Sequence, residues 1–111
     1  MTFEAKARFV DTEEFKQLLS KNKLVVAQYT ASWCAPCRLV IPLIDKLAVE
    51  YGDRVKILKI DVDRNPNLVK KYNVRSIPAV LIFCDRQAVE SVLGIKPYET
   101  YSNVLETQLR L

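Results

Sequence analysis

Apolar positions along the chain recur with two different periods, and the switches between them divide the sequence into nine segments. Residues Ala5 to Phe9 mix charged and apolar positions as a first strand does. Asp11 and Glu14, three positions apart, form a capping pair, after which Phe15, Leu18 and Leu19 fall at helical spacing. Leu24 to Tyr29 is almost continuously apolar, the pattern of a strand buried on both faces. The strongest pattern follows: Cys37, Val40, Ile41, Ile44, Leu47, Ala48 and Tyr51 recur at three- and four-residue steps and predict a long amphipathic helix that begins at a pair of cysteines. Pro42 lies inside it and predicts a bend, because it removes one intrahelical hydrogen bond. Val55 to Val62 reads as a strand, and Pro66 to Tyr72 as a short helix with Asn65 as its cap and Pro66 at its first position. Ala79 to Phe83 and Ala88 to Leu93 read as an antiparallel pair, although the turn residues Asp85 and Arg86 lack the usual glycine. Tyr98, Tyr101, Leu105 and Leu109 mark a closing helix.

The order βαβαβαββα predicts an α/β chain: a central mixed sheet of about five strands, flanked on both faces by about four helices. Its 111 residues are room for one domain, expected over 1–111. With 50% hydrophobic and 27% charged residues the chain is apolar enough to fold alone. Seventeen basic against thirteen acidic residues leave a net charge of +4, but the cations are scattered and no like-charge run exceeds two residues, as at Lys70-Lys71. Nucleic acid and membrane surfaces are therefore not expected partners. The start of the chain carries no apolar signal segment, and the longest apolar runs, Leu24 to Ala27 and Ala79 to Cys84, are far too short to span a bilayer. An intracellular, cytoplasmic protein is expected, and there a C-x-x-C is catalytic or metal-binding before it is a structural disulfide.

Chemistry is narrowed further by two counts: the chain has no histidine and three cysteines, Cys34, Cys37 and Cys84. Ser-His-Asp and Cys-His machinery cannot be built, and one chain cannot close a Cys₂His₂ or Cys₄ zinc site. What remains is the stretch Ala31-Ser32-Trp33-Cys34-Ala35-Pro36-Cys37-Arg38, where the buried strand ends and the long helix starts. Two thiols three positions apart on a first helical turn are close enough to form a disulfide. Cys34 falls at the helix N-terminus, where unpaired N–H groups and the positive end of the dipole favour the nucleophilic thiolate. Cys37 lies one turn further on the apolar face and is expected to be buried.

The chain resembles the thioredoxin family over nearly its whole length. The resemblance is carried by Trp33-Cys34-Ala35-Pro36-Cys37, by Lys59, by Asp63-Arg64-Asn65-Pro66, by Lys71-Tyr72-Asn73-Val74-Arg75-Ser76-Ile77-Pro78-Ala79, and by Gly94. It implies the thioredoxin fold and a general protein-disulfide reductase in which Cys34 attacks a target disulfide, Cys37 resolves the mixed disulfide and Trp33 covers the pair. It implies a cis Ile77–Pro78 bond facing the cysteines, an exposed backbone edge there for the substrate chain, and Gly94 as the point of its close approach. No cofactor is implied beyond the Cys34–Cys37 disulfide, and no metal. The implied partners are a thioredoxin reductase, either flavin/NADPH-dependent or ferredoxin-linked, and oxidised target proteins, with the chain itself a monomer in electron transport and cell redox homeostasis.

Two departures stand out. Where the family places a buried aspartate beneath the cysteines as a proton relay, this chain has Gln28, and an amide cannot titrate. Lys59, that aspartate's usual neighbour, is thereby left without its partner, so it reads equally as functional or as a lysine snorkelling to solvent. Ala35 replaces the commoner glycine with little expected effect. The neutral Ala35-Pro36 turn, lacking the histidine of oxidising relatives, points to a reductant. Competing readings are a thioredoxin-fold binding module with secondary redox activity, favoured by Gln28, and half of a two-chain metal site at Cys34 and Cys37. Cys84 reads as an inert apolar residue, and Asp63, Arg64 and Asn65 as loop and cap chemistry.

Overall fold

A computed structural model describes residues 7–111. The elements follow the order β1 (Arg8–Phe9), α1 (Thr12–Lys21), β2 (Leu24–Thr30), α2 (Ala35–Tyr51), β3 (Lys56–Asp61), α3 (Pro66–Lys71), β4 (Ala79–Cys84), β5 (Gln87–Leu93) and α4 (Tyr98–Arg110). The strands lie in one sheet in the order β1-β3-β2-β4-β5. β3 runs parallel to both β1 and β2, while β4 is antiparallel to β2 and β5. A mixed five-stranded sheet with four helices is the architecture that the element order and the resemblance imply.

The near-continuous apolar run of β2 is explained by its central place, with all seven residues buried between two helical layers. Leu24 and Val26 face a core with Val40, Ile44 and Leu47 of α2 and Tyr101 and Leu105 of α4. Val25, Ala27 and Tyr29 face the other core, with Phe15 and Leu19 of α1 and Leu68 of α3. Strand alternation then puts Gln28 on the α2 side, next in register to Lys59 of β3.

Several local expectations are corrected. The first strand is only Arg8–Phe9; Ala5 and Lys6 of the expected strand lie outside the described residues, and the Ala7 N–H donates to Asp45 Oδ1 at 3.2 Å instead of to a neighbouring strand. Asp11 caps α1 by accepting from the Glu14 N–H at 2.8 Å, but the Glu14 side chain pairs with Arg8 and does not return to close a capping box. Asn65 precedes α3 without capping it through its side chain. Its amide is spent elsewhere, donating to Asp61 O and accepting from Thr12 Oγ1, both at 2.9 Å. α2 continues as one helix across Pro42, where the bend is expected. The glycine-free turn between β4 and β5 does form, with Asp85 and Arg86 both left-handed at φ 50° and 71°, as a two-residue type I′ turn requires.

Candidate functional site

β2 ends at Thr30 and α2 begins at Ala35, so the intervening residues must turn the chain from sheet to helix at the sheet's end. The Cys34 N–H closes this turn on Ala31 O at 3.1 Å, and Arg38 fastens it from outside by donating to Ser32 O at 2.8 Å. Cys34 then serves as the N-cap of α2, its Sγ accepting the Cys37 N–H at 3.2 Å. Cys34 and Cys37 form a disulfide with their Cα atoms 5.3 Å apart. Cys37 is fully buried, as its position on the apolar face predicts, and Cys34 is nearly so at 4% exposure. A collar of Ala31, Val62 and Ile77 packs around them.

The Ile77–Pro78 bond is cis. Pro78 O accepts the Gly94 N–H at 2.9 Å, and Gly94 has a left-handed φ of 77°. A side chain at Gly94 would point into open space. Trp33, Val62, Val69, Val74, Arg75, Ser76 and Ile77 line an open groove of about 400 Å³ beside the cysteines. Trp33 is 65% exposed, yet its ring is not free, because Nε1 donates to Asp63 Oδ2 at 2.8 Å. Asp63 is itself held by donating its N–H to Asp61 Oδ1 at 2.9 Å. Reading Asp63 as loop chemistry alone misses this contact. The available signal is topological: Thr30 and Asp61 are register partners, so the loops after β2 and β3 leave the sheet side by side.

Beneath the disulfide, Gln28 is fully buried. Its Nε2 donates to Cys37 O at 3.3 Å, while its Oε1 is buried with no partner among the described residues. Lys59 has neither lost a counter-charge nor snorkelled to water. At 6% exposure it places Nζ 2.9 Å from Asp45 Oδ1 on α2. Cys84, a free thiol, lies opposite Leu24 at the start of β2, the far end of the sheet from Cys34. Among the described residues no group of three or more His, Cys, Asp or Glu is placed to hold a metal ion, and no helix is long and apolar enough to cross a membrane.

The fold recurs in known proteins. The thioredoxin family model matches residues 6–107. Thioredoxin 1 of Synechococcus elongatus is 39% identical over 104 residues, covering 93% of this chain and 97% of that protein. The thioredoxin of Griffithsia pacifica is 34% identical, covering 94% and 95%. A mutant thioredoxin from Halobacterium salinarum superposes with a TM-score of 0.85 at 30% identity, covering 96% of this chain and 95% of its own.

Proposed function

The chain belongs to the thioredoxin family and is a thiol-disulfide oxidoreductase, a protein-disulfide reductase, and from that premise we propose how its residues divide the work. In the reduced protein Cys34 Sγ attacks one sulfur of a target disulfide. The target S–S bond breaks, its electron pair leaves on the second target sulfur, which takes a proton, and a mixed disulfide forms at Cys34. Cys37 Sγ then loses its proton and attacks Cys34 Sγ, expelling the first target sulfur and closing the Cys34–Cys37 disulfide. Two electrons pass to the target and two protons go with them. The 5.3 Å Cα separation supports closure without backbone rearrangement. The Cys37 N–H on Cys34 Sγ supports Cys34 as the attacking thiolate.

Trp33, Ile77, Pro78 and Gly94 would hold an extended target segment against the pair, with Ala35 and Pro36 keeping the turn neutral. A neutral turn does not favour the thiolate by charge, which supports a reductant over an oxidant. Gln28 occupies the proton-relay position beside Lys59 and cannot accept a proton there. Resolution by Cys37 would then be slow at neutral pH, and Gln28→Asp should speed it in stopped-flow reduction of a target; no gain would count against this role.

The electron donor fitting this chemistry is a thioredoxin reductase, flavin/NADPH-dependent or ferredoxin-linked, serving a monomer of one domain over 1–111 in the cytoplasm, with oxidised proteins as targets. The observation that carries the reading is a buried disulfide at a helix N-terminus beside an open apolar groove. Insulin reduction by dithiothreitol, with wild type and Cys34→Ser compared, tests it: loss of the catalysed rate is expected in the variant. Equal rates would leave a second reading, a binding module that uses the Trp33 and Ile77 groove, which the untitratable Gln28 favours. Cys37→Ser should stall the mixed disulfide and retain targets covalently on Cys34.

A further inference from the structure

We infer that Gln28 is a redox-coupled hydrogen-bond acceptor for the resolving thiol, its buried Oε1 lacking a partner while Cys37 is in the disulfide and receiving the Cys37 S–H when the disulfide is reduced. The inference rests on the redox cycle of Cys34 and Cys37 proposed above. The orientation of the amide is fixed by its other end. Cys37 O can only accept, so the atom 3.3 Å from it must be the amide nitrogen. Oε1 is thereby turned into a fully buried position without a donor.

None of the neighbouring donors among the described residues is directed at Oε1. Lys59, beside Gln28 in register, gives its Nζ to Asp45 Oδ1, and the Cys37 N–H is given to Cys34 Sγ. A buried acceptor left in this condition carries its desolvation penalty uncompensated.

Reduction supplies what is missing. A donor dithiol is oxidised to its disulfide, the Cys34–Cys37 bond breaks, and the two electrons and two protons become two thiols. One of these hydrogens lands on Cys37 Sγ, which is fully buried. The same event thus creates a buried donor on the residue whose backbone carbonyl already holds the other end of the Gln28 amide. A neutral acceptor favours S–H over S⁻, so Gln28 stabilises the dithiol protein and keeps Cys37 protonated until attack. The pair is then less reducing than its neutral turn alone would make it.

Gln28→Leu keeps the bulk and removes the acceptor. We expect its redox equilibrium against glutathione, read by thiol alkylation and mass spectrometry, to shift about tenfold toward the disulfide, equivalent to ~30 mV. A shift within twofold, or one toward the dithiol, would overturn the inference. In a Cys84→Ala background, infrared spectra of the reduced protein should show the Cys37 S–H stretch at a hydrogen-bonded, lowered frequency that rises in Gln28→Leu. If Gln28→Leu does not fold, Gln28→Met gives the same comparison, and a free-thiol frequency in the protein with Gln28 intact is by itself decisive against the proposal. Failure of the underlying redox cycle would look different, because the wild type would then not exchange with glutathione at all.

Discussion

Lys59 Nζ stands 2.9 Å from Asp45 Oδ1, so a buried lysine of β3 takes its counter-charge from α2 and not from the adjacent strand β2, which offers Gln28. The same carboxylate accepts the Ala7 N–H, tying the chain before β1 to α2. Removing its charge leaves a cation in a nearly closed site. Asp45→Asn is expected to cost about 2 kcal/mol, below the range for a fully buried pair because the Asp45 side chain keeps 23% exposure. Urea unfolding should show this loss, and Lys59→Met added to Asp45→Asn should recover most of it.

The indole of Trp33 depends on Asp63 for its placement. Asp63→Ala should leave stability within about 0.5 kcal/mol of wild type, since the contact is exposed. Its effect should appear in function, as a roughly threefold fall in kcat/KM for insulin reduction, the size expected when one modest hydrogen bond no longer positions a contact residue.

Gly94 separates two demands on one position. Its φ of 77° strains any side chain, but a Cβ there meets nothing within 4 Å among the described residues. Gly94→Ala should therefore destabilise by about 1 kcal/mol, the conformational term alone. A larger change is expected in KM for a protein target than for a small disulfide, because only a bound chain would meet the new methyl. Equal changes for both would show that no target passes this point.

The tyrosines give the fold an alkaline limit. Burial pushes the Tyr29 phenol up, with Tyr72 adding to the effect, and burial followed by the hydrogen bond to Glu50 does the same for Tyr98. Groups whose folded value is raised contribute stability that is complete below their unfolded value of 10.0 and is lost as pH rises through the folded value. Urea midpoints should fall from about pH 10 upward, with tyrosinate absorbance appearing together with unfolding. Tyr29→Phe loses the hydrogen bond to Leu68 O at neutral pH, about 1 kcal/mol, and should flatten the alkaline decline.

Arg86 holds a left-handed φ of 71° with a long side chain. Arg86→Gly should stabilise the hairpin by about 0.5 kcal/mol, as steric relief outweighs the added freedom of the unfolded chain. Calorimetry would register this as a rise of about 2–4 °C in Tm.

Where the sequence signal was local and periodic, it was sufficient to place the elements. The α2 stripe from Cys37 to Tyr51, the two-sided apolar run of β2 and the βαβαβαββα order all reflect burial repeated along neighbouring positions, and the resemblance to a family supplied the cis bond at Pro78. What stayed hidden were side-chain pairings between distant residues. Glu14 had a plausible local partner in Asp11 and took Arg8 instead. Asn65 resembled a cap but joins α1 to the β3 end through Thr12 and Asp61. Lys59 looked orphaned because its expected partner lies in the adjacent strand, while its actual one projects from a helix whose polar positions read as solvent-facing. No period records which side chain crosses between layers.

Trp33 is the chain's one tryptophan, and it stands next to Cys34 with its ring open to solvent on the groove side. Its emission therefore originates within a single residue of the reactive bond. Opening or closing that bond, or seating a target in the groove, should alter the fluorescence of an unlabelled sample, so the progress of each turnover can be followed optically without attaching a dye.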